Sequence, residues 1–315
     1  MKRFDEYMKH FSDVDGWFQR PAIAIWDSLL SYQQEQRISG NLLEIGVWKG
    51  KSAAMAALHC QADDACVFVD AMPLDDAKAS ISQATPGVTC HYLQEQSQFL
   101  ARHPFIAQGT RGFRWIHVDG EHTGQSVIND LEIADHLLSD RGIAVFDDFF
   151  SPGYPQVTQA IFQFLATRPG RLMLVLCGFN KAYLCRPKAA REYLQFVRTS
   201  LYSDMVERDC GSVTIWKTTE PGDMNTFGVT DRYLEFNYRG PDWNQNSILI
   251  SQGSRPGWPE GCWWMAIFRQ PLRRRRILMQ MLPQTLFSAV AYVKIRLKWR
   301  NSDSAPLFVM PCSQS

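Results

Sequence analysis

Residues 42–53 read LLEIGVWKGKSA, an apolar run broken by one acid, then Gly46, Gly50 and a string of small and apolar residues. A short apolar run that ends on glycine and passes directly into a helical pattern is a strand–turn–helix unit. The same alternation recurs further along the chain. The runs CVFVD (66–70), VTCHYL (88–93), FRWIHVDG (113–120) and GIAVFDD (142–148) are separated by amphipathic stretches around 51–60, 74–84, 95–102 and 123–138. Nearly continuous apolar strands separated by helices predict a mostly parallel sheet covered on both faces, the doubly wound α/β class. Two later runs, RLMLVLC (171–177) and KAYLCR (181–186), are joined by GFN and predict an antiparallel hairpin. A helix at 188–204 and a strand at 212–218 complete this core.

Ahead of the core, residues 1–39 predict a cap of two helices. Trp17, Phe18, Ile23, Ile25, Trp26, Leu29 and Leu30 recur at spacings near three and four, and Pro21 suits a first helical turn. Beyond residue 220 the periodicity fades, and 221–262, rich in Gly, Pro, Asn, Asp and Trp, reads as an irregular excursion. The expected organisation is therefore 1–39, 40–220 and a carboxyl-terminal extension over 221–315. Charge marks the same boundary. Residues 1–220 carry 21 Lys and Arg against 26 Asp and Glu, whereas 221–315 carry 12 against 6.

With 315 residues, 45% apolar and 21% charged, the chain can bury a large core, and neither disorder nor a fibrous architecture fits. The eight cysteines include no C-x-x-C pair, which removes the commoner zinc and thioredoxin patterns. The sequence MKRFDEYMKHFSD has no apolar signal-peptide core, and no uncharged apolar stretch reaches the roughly 18 residues of a membrane span. A reducing cytoplasm is the expectation. Arg269, Arg273 to Arg276, Lys294, Arg296, Lys298 and Arg300 fall in a stretch (261–300) without an acidic residue. They flank an apolar face, a pattern for contact with an anionic membrane surface or for a packing helix with solvated charges. No basic patch interleaved with aromatics accompanies the core, so nucleic acid is not an expected partner. An oligomer is compatible with everything above.

The loop after the first strand is where a doubly wound fold binds a nucleotide. ATP, a nicotinamide dinucleotide and S-adenosylmethionine could each use it. GKS (50–52) and AVFDD imitate the two boxes of a P-loop enzyme, but only Val47, Trp48 and Lys49 separate Gly46 from GKS, where a P-loop has four residues. Glu44 beside the loop opposes a triphosphate and suits a ligand with a sulfonium and an ammonium. A dinucleotide loop wants a third glycine. Asp70 ends the second run, 24 residues after Gly46, where an acid accepts from ribose hydroxyls or caps a loop. Ser97 stands where an adenine contact or a helix cap falls.

The strongest chemical signal is acidic. Asp119 ends the fourth run, and Asp147 and Asp148 end the fifth. Neighbouring strands lie about 4.8 Å apart, so three carboxylates converge on one rim, where a hard divalent cation, Mg²⁺, relieves their repulsion. His122 on the same rim is a candidate general base or an inert first-turn residue. His117, inside the fourth run, reads as a satisfied core residue.

LEIGVWKGKSA, VFVDAMP and WIHVDGEHTGQSVINDLEIADHLLSDRGIAVFDDF resemble the class I S-adenosylmethionine-dependent methyltransferases, and among them the methyltransferase domain 24 type, which includes sugar and natural-product O-methyltransferases. The resemblance covers about 40–187 and implies a Rossmann-like methyltransferase fold. It implies that Glu44, Gly46, Gly50 and Ser52 surround the methionine end of the cofactor, that Asp70 holds its ribose, and that Ser97 and Asp119 belong to the same set. By analogy with metal-dependent relatives it implies Mg²⁺ on Asp119, Asp147 and Asp148, with Asp119 and His122 as catalytic groups. Asp130 falls eight residues after His122, a spacing of that branch, while QEQS (94–97) departs from the acid that relatives often carry before the Ser. The implied activity is O-methylation of a small-molecule or sugar hydroxyl. The rivals are a nucleotide-phosphate enzyme using GKS and a cofactor-binding interaction protein without turnover.

Overall fold

A computed structural model describes residues 3–85, 87–103, 106, 112–219, 222–232 and 247–252. One compact unit spans residues 1–255, and 256–315 fall outside the described residues together with the basic stretch 269–300. Two helices, α1 (Arg3–His10) and α2 (Arg20–Glu35), precede the sheet. Then β1 (Asn41–Ile45), α3 (Lys51–Leu58), β2 (Cys66–Asp70), α4 (Asp75–Ala84) and β3 (Cys90–Gln94) alternate. A 3₁₀ turn (Ser97–Arg102) stands where a helix was expected at 95–102, followed by β4 (Phe113–Val118), α5 (Gly124–Leu137) and β5 (Leu138–Phe146). Next come α6 (Pro155–Thr167), the hairpin β6 (Met173–Gly178) and β7 (Lys181–Cys185), and α7 (Pro187–Phe196). The helix expected over 188–204 continues through a π turn (Val197–Leu201) into α8 (Tyr202–Val206). Strands β8 (Thr214–Thr218), β9 (Phe227–Thr230) and β10 (Ser247–Ser251) finish the described chain.

The strands form one sheet in the order β10-β8-β9-β6-β7-β5-β4-β1-β2-β3. β3, β2, β1, β4 and β5 are mutually parallel, and β7 enters antiparallel between β5 and β6. The chain moves outward from β1 to β3 and then returns to the other side of β1 at β4. That reversal leaves a crevice at the carboxyl ends of β1 and β4, where such sheets take ligands. Successive strand residues feed two separate apolar layers: Leu42 and Phe68 belong to one, Leu43, Val67 and Val69 to the other, as the period of two requires.

Two expectations change. Residues 221–262 do not read as wholly irregular, because β9 pairs with β6 and β8, and β10 pairs with β8. FGVT and SILIS are too short for a pattern to show; the open edge beyond β6 selects them. Trp17 and Phe18 lie before α2 rather than in it, since Pro21 fixes the first turn. Phe18 is buried, but Trp17 is 88% exposed.

A buried polar network ties the leading helices to the sheet. Asp27 of α2 contacts His59 Nε2 at 2.7 Å and the Arg208 guanidinium at 2.6 Å. Arg114 of β4, without exposed surface, donates to Asp64, to Gln33 of α2 and to the His59 carbonyl. Burial outweighs the pull of Asp27 and lowers the His59 pKa to about 4, so this histidine is neutral at pH 7.

Candidate active site

The ladder continues past the strand ends and aligns the site. Gly46 N–H donates to the Val69 carbonyl, Asp119 N–H to that of Ile45, and Asp147 N–H to that of Val118. Gly46, Asp119 and Asp147 therefore stand side by side. Gly46 has φ +82°, and a Cβ there would lie 1.9 Å from the Asp119 carbonyl oxygen, so neither the backbone nor the space admits a side chain. Beyond them opens a cleft of about 1430 Å³ lined by Gly46, Ser52, Asp70, Ser97, Asp119, His122, Asp147 and Asp148 among others.

On the side of β1 and β2, the loop's amides find their partners within the protein itself. Asp70 Oδ2 accepts from the Val47 and Trp48 N–H groups at 2.8 Å each, and Oδ1 accepts from Met72 N–H at 2.8 Å. This carboxylate holds the loop in shape while lining the cleft. Glu44 and Gly50, expected around the cofactor, lie behind the wall rather than on it. Glu44 has no exposed surface and accepts from the Ser52 hydroxyl at 2.5 Å, and Gly50, with φ +84°, begins α3 against Ala77. The residues a P-loop would use are engaged elsewhere: Lys51 Nζ donates to the Ser12 carbonyl, and the Ser52 hydroxyl goes to Glu44.

On the side of β4 and β5, the acids fall into two overlapping groups. Among the described residues, the sets of three potential ligand atoms within 4.8 Å of one another are His117–Asp119–Asp147 and Asp119–His122–Asp148. In the inner group His117 is buried and Asp119 and Asp147 are half-buried. Lys181, 3% exposed at the start of β7, ion-pairs with Asp147, and its ammonium sits 5.3 and 5.7 Å from the Phe18 and Trp26 ring centres. Burial pushes the Asp147 pKa upward, but Lys181 and His117 together hold it well below the usual carboxylate range.

His117 is not the satisfied core residue that its place inside a strand suggested. Its Nδ1 lies 3.2 Å from Glu44 and its Nε2 3.8 Å from Asp147, yet neither contact is aligned as a hydrogen bond. Burial lowers its pKa, but the Glu44 and Asp147 carboxylates override this and lift it to about 9, so it is an imidazolium at neutral pH.

The outer group faces the cleft. His122 Nε2 lies 2.7 Å from Asp148 and 3.4 Å from Asp119, and its ring stacks on Tyr154 with centroids 4.2 Å apart. Contact with Asp119 raises the His122 pKa, partial burial opposes this, and Asp148 adds to it. Asp148 has φ +55° and Phe150 φ +67°, left-handed backbone that costs energy in a residue with a Cβ and turns the chain sharply after β5. The hairpin turn Phe179–Asn180, with φ +50° and +67°, supports it, because the Asn180 amide donates to Asp148 at 2.7 Å.

Ser97 lines the cleft next to Asp130 of α5. Asp130 has no exposed surface, and neither carboxylate oxygen has an aligned partner; burial raises its pKa to about 6, with Ser97 opposing. Exposed aromatic rings complete the mouth of the cleft. Trp17 stacks on Trp48 with centroids 5.3 Å apart, and Phe150 and Tyr154 stand exposed nearby in the chain to the acids. Lys181, Trp17 and Tyr154 were not legible as site residues in the sequence. Only the GFNK turn hinted that Lys181 would follow a tight reversal.

Residues 43–149, roughly a third of the chain, match the methyltransferase domain family. No curated protein matches the chain. Among solved structures it is similar to an O-methyltransferase from Bacillus cereus in complex with SAH, at 17% identity over 57% of this chain and 88% of that one, with a TM-score of 0.42. It is also similar to a SAH-bound methyltransferase from Podospora anserina, at 16% identity over 58% and 88%, TM-score 0.43. A third is a TDP-rhamnose 3'-O-methyltransferase of calicheamicin biosynthesis, at 17% identity over 51% and 77%, TM-score 0.40.

Proposed function

We propose that this chain, whose residues 43–149 match the methyltransferase domain family, is a class I methyltransferase that uses S-adenosylmethionine to methylate a hydroxyl of a small molecule or sugar with the assistance of Mg²⁺. The observation that carries this reading is the Asp119–His122–Asp148 group facing a cleft that the Gly46 loop also lines. S-adenosylmethionine supplies a methyl carbon already activated by its sulfonium. Mg²⁺ supplies a Lewis acid that lowers the pKa of the acceptor hydroxyl.

The chain's residues supply position and proton transfer. Gly46 lets the loop after β1 pack directly on the Asp119 backbone, and Asp70, after accepting three loop amides, keeps an acceptor site for a ribose hydroxyl. Asp119 and Asp148 would hold the cation, with Asp147 as the third carboxylate behind them and Lys181 already countering part of its charge. Asp119 and Asp148 offer two carboxylates close enough to share an ion, with His122 in the same set, while Asp147 groups with Asp119 and His117 instead. With the acids so countered, His122 can become neutral and accept the acceptor hydroxyl's proton, and Asp119 orients its ring. The exposed rings of Trp17, Phe150 and Tyr154 suit the flat face of a sugar or aromatic acceptor. The same reading keeps the cytoplasm as location and 269–300 as a surface for anionic lipid, on the sequence pattern alone.

Calorimetry with S-adenosylmethionine, S-adenosylhomocysteine and ATP, each with and without Mg²⁺, tests it. Micromolar binding of the first two and no binding of ATP is the expected result. ATP binding alone would sink the reading and turn attention to Lys51 and Ser52.

A further inference from the structure

β9 supplies the cleft wall beyond the acids. It runs parallel to β6, which is antiparallel to β7, itself antiparallel to β5, so the carboxyl ends of β5, β6 and β9 share one edge of the sheet. The end of β9 is locked there. A Cβ on Gly178, the last residue of β6, would lie 2.0 Å from the Val229 carbonyl oxygen, so only glycine admits this approach. Past β9, the Arg232 N–H donates to the Thr230 hydroxyl at 3.2 Å, and the Arg232 carbonyl accepts from the Thr214 hydroxyl of β8 at 2.9 Å. Two threonines therefore hold the backbone of Arg232 on the rim, where this residue lines the cleft.

Arg232 differs from the other cations of the cleft. Lys51 Nζ donates to the Ser12 carbonyl, and Lys181 ion-pairs with Asp147. Arg232 is exposed, and no carboxylate among the described residues pairs with its guanidinium. A guanidinium presents its donors in a fixed fork that matches a phosphate or a carboxylate. In the order β9-β6-β7-β5, three strand spacings, about 14 Å, separate the end of β9 from that of β5. An arginine side chain is long enough to bridge part of that span. Phe179 of the hairpin turn lies between the two ends, and Phe150 and Tyr154 follow the acids in the chain; all three line the cleft. What fits is a ring over aromatic side chains, with a hydroxyl at the acids and an oxyanion at the arginine.

We propose that the methyl acceptor carries an oxyanion, a phosphate or a carboxylate, a ring's length from the methylated hydroxyl, and that Arg232 binds it. This deepens the methyltransferase reading and rests on it. The acids of the rim repel an anion, so an arginine set apart from them decides which way round the acceptor enters, hydroxyl toward Asp119 and Asp148 and oxyanion away from them.

The full chain is stripped of metal with EDTA, so that no bound cation attracts the anion, and its affinity for S-adenosylhomocysteine is measured by calorimetry. With that ligand saturating, saturation-transfer NMR compares three probes built on one ring: phenol, phenyl phosphate and benzoate. Phenyl phosphate or benzoate should bind about 10-fold more tightly than phenol, the worth of a hydrogen bond to a charged group, and the tighter of the two names the oxyanion. Arg232→Gln should abolish this preference while leaving the affinity for S-adenosylhomocysteine and the urea midpoint unchanged. Lys188 is an exposed cation on α7, at the opposite edge of the sheet, and Lys188→Gln should leave all three readings as they were. No binding of S-adenosylhomocysteine to the native chain would sink the methyltransferase reading and this inference with it. Binding of S-adenosylhomocysteine without a preference for either anion, a preference that survives Arg232→Gln, or one that Lys188→Gln removes equally would overturn this inference alone.

Discussion

The two walls of the cleft differ in how their polar groups are satisfied. On the β1–β2 wall, Asp70 accepts three backbone amides and Ser52 donates to Glu44, so the loop carries its own partners. On the β4–β5 wall, His117 and His122 sit among carboxylates without aligned hydrogen bonds, and Asp148 stands on left-handed backbone. Unpaired buried polar groups and strained backbone are costly, and a fold keeps them where a ligand or a reaction uses them. One wall is satisfied by its own hydrogen bonds, and on the other carboxylates and imidazoles crowd together with Lys181 as a buried cation among them.

That contrast can be broken most directly at Asp119. Asp119→Asn should lower kcat by about 10²- to 10⁴-fold, the usual worth of a group in proton transfer or cation binding, while calorimetric affinity for S-adenosylhomocysteine falls far less. Equal loss of both would place Asp119 on the cofactor wall instead. Lys181→Met probes the inner charges. It leaves Asp147 buried beside His117 alone, and should cost about 3–5 kcal/mol in urea unfolding; a loss under 1 kcal/mol would mean that Asp147 is solvated after all.

His117 offers a sharper test through pH. Its folded pKa of about 9 lies above the ordinary histidine value near 6.5, so the folded chain holds the proton more tightly. The stabilisation is complete below pH 6.5 and is lost as pH rises toward 9, a change of about 3 kcal/mol by linkage. Metal-free unfolding measured across that window should show the decline, and His117→Gln should flatten it. The smallest effect belongs to the mouth. Trp17→Ala, at so exposed a position, should move stability by no more than about 0.5 kcal/mol, yet raise the KM for acceptor severalfold without altering cofactor affinity. An unchanged KM would remove Trp17 from the acceptor's path.

The alternation of short apolar runs with helical stretches made the parallel sheet legible, because a strand buried on both faces can be little else. The glycine pair, Asp70 and the three aspartates at strand ends could be placed on one rim for the same reason: topology puts the ends of β1, β2, β4 and β5 together. What local pattern could not supply is which neighbour each charge meets. Glu44 looked like a cofactor residue and lies behind the wall, since residues alternate across a strand and its side chain points into the layer under α3. His117 looked inert inside its strand and carries a charge, because β1 brings Glu44 and the end of β5 brings Asp147 against it.

The sequence by itself determined the doubly wound core, the position of its ligand crevice and the acidity of one rim, since these follow from periodicity and strand order. Only the tertiary structure decided that Lys181 enters from an antiparallel hairpin to balance Asp147, and that β9 and β10 extend the sheet past residue 220. Both depend on contacts between segments far apart in the chain, where burial and Coulomb forces act on whatever the fold brings close, whatever its place in the sequence.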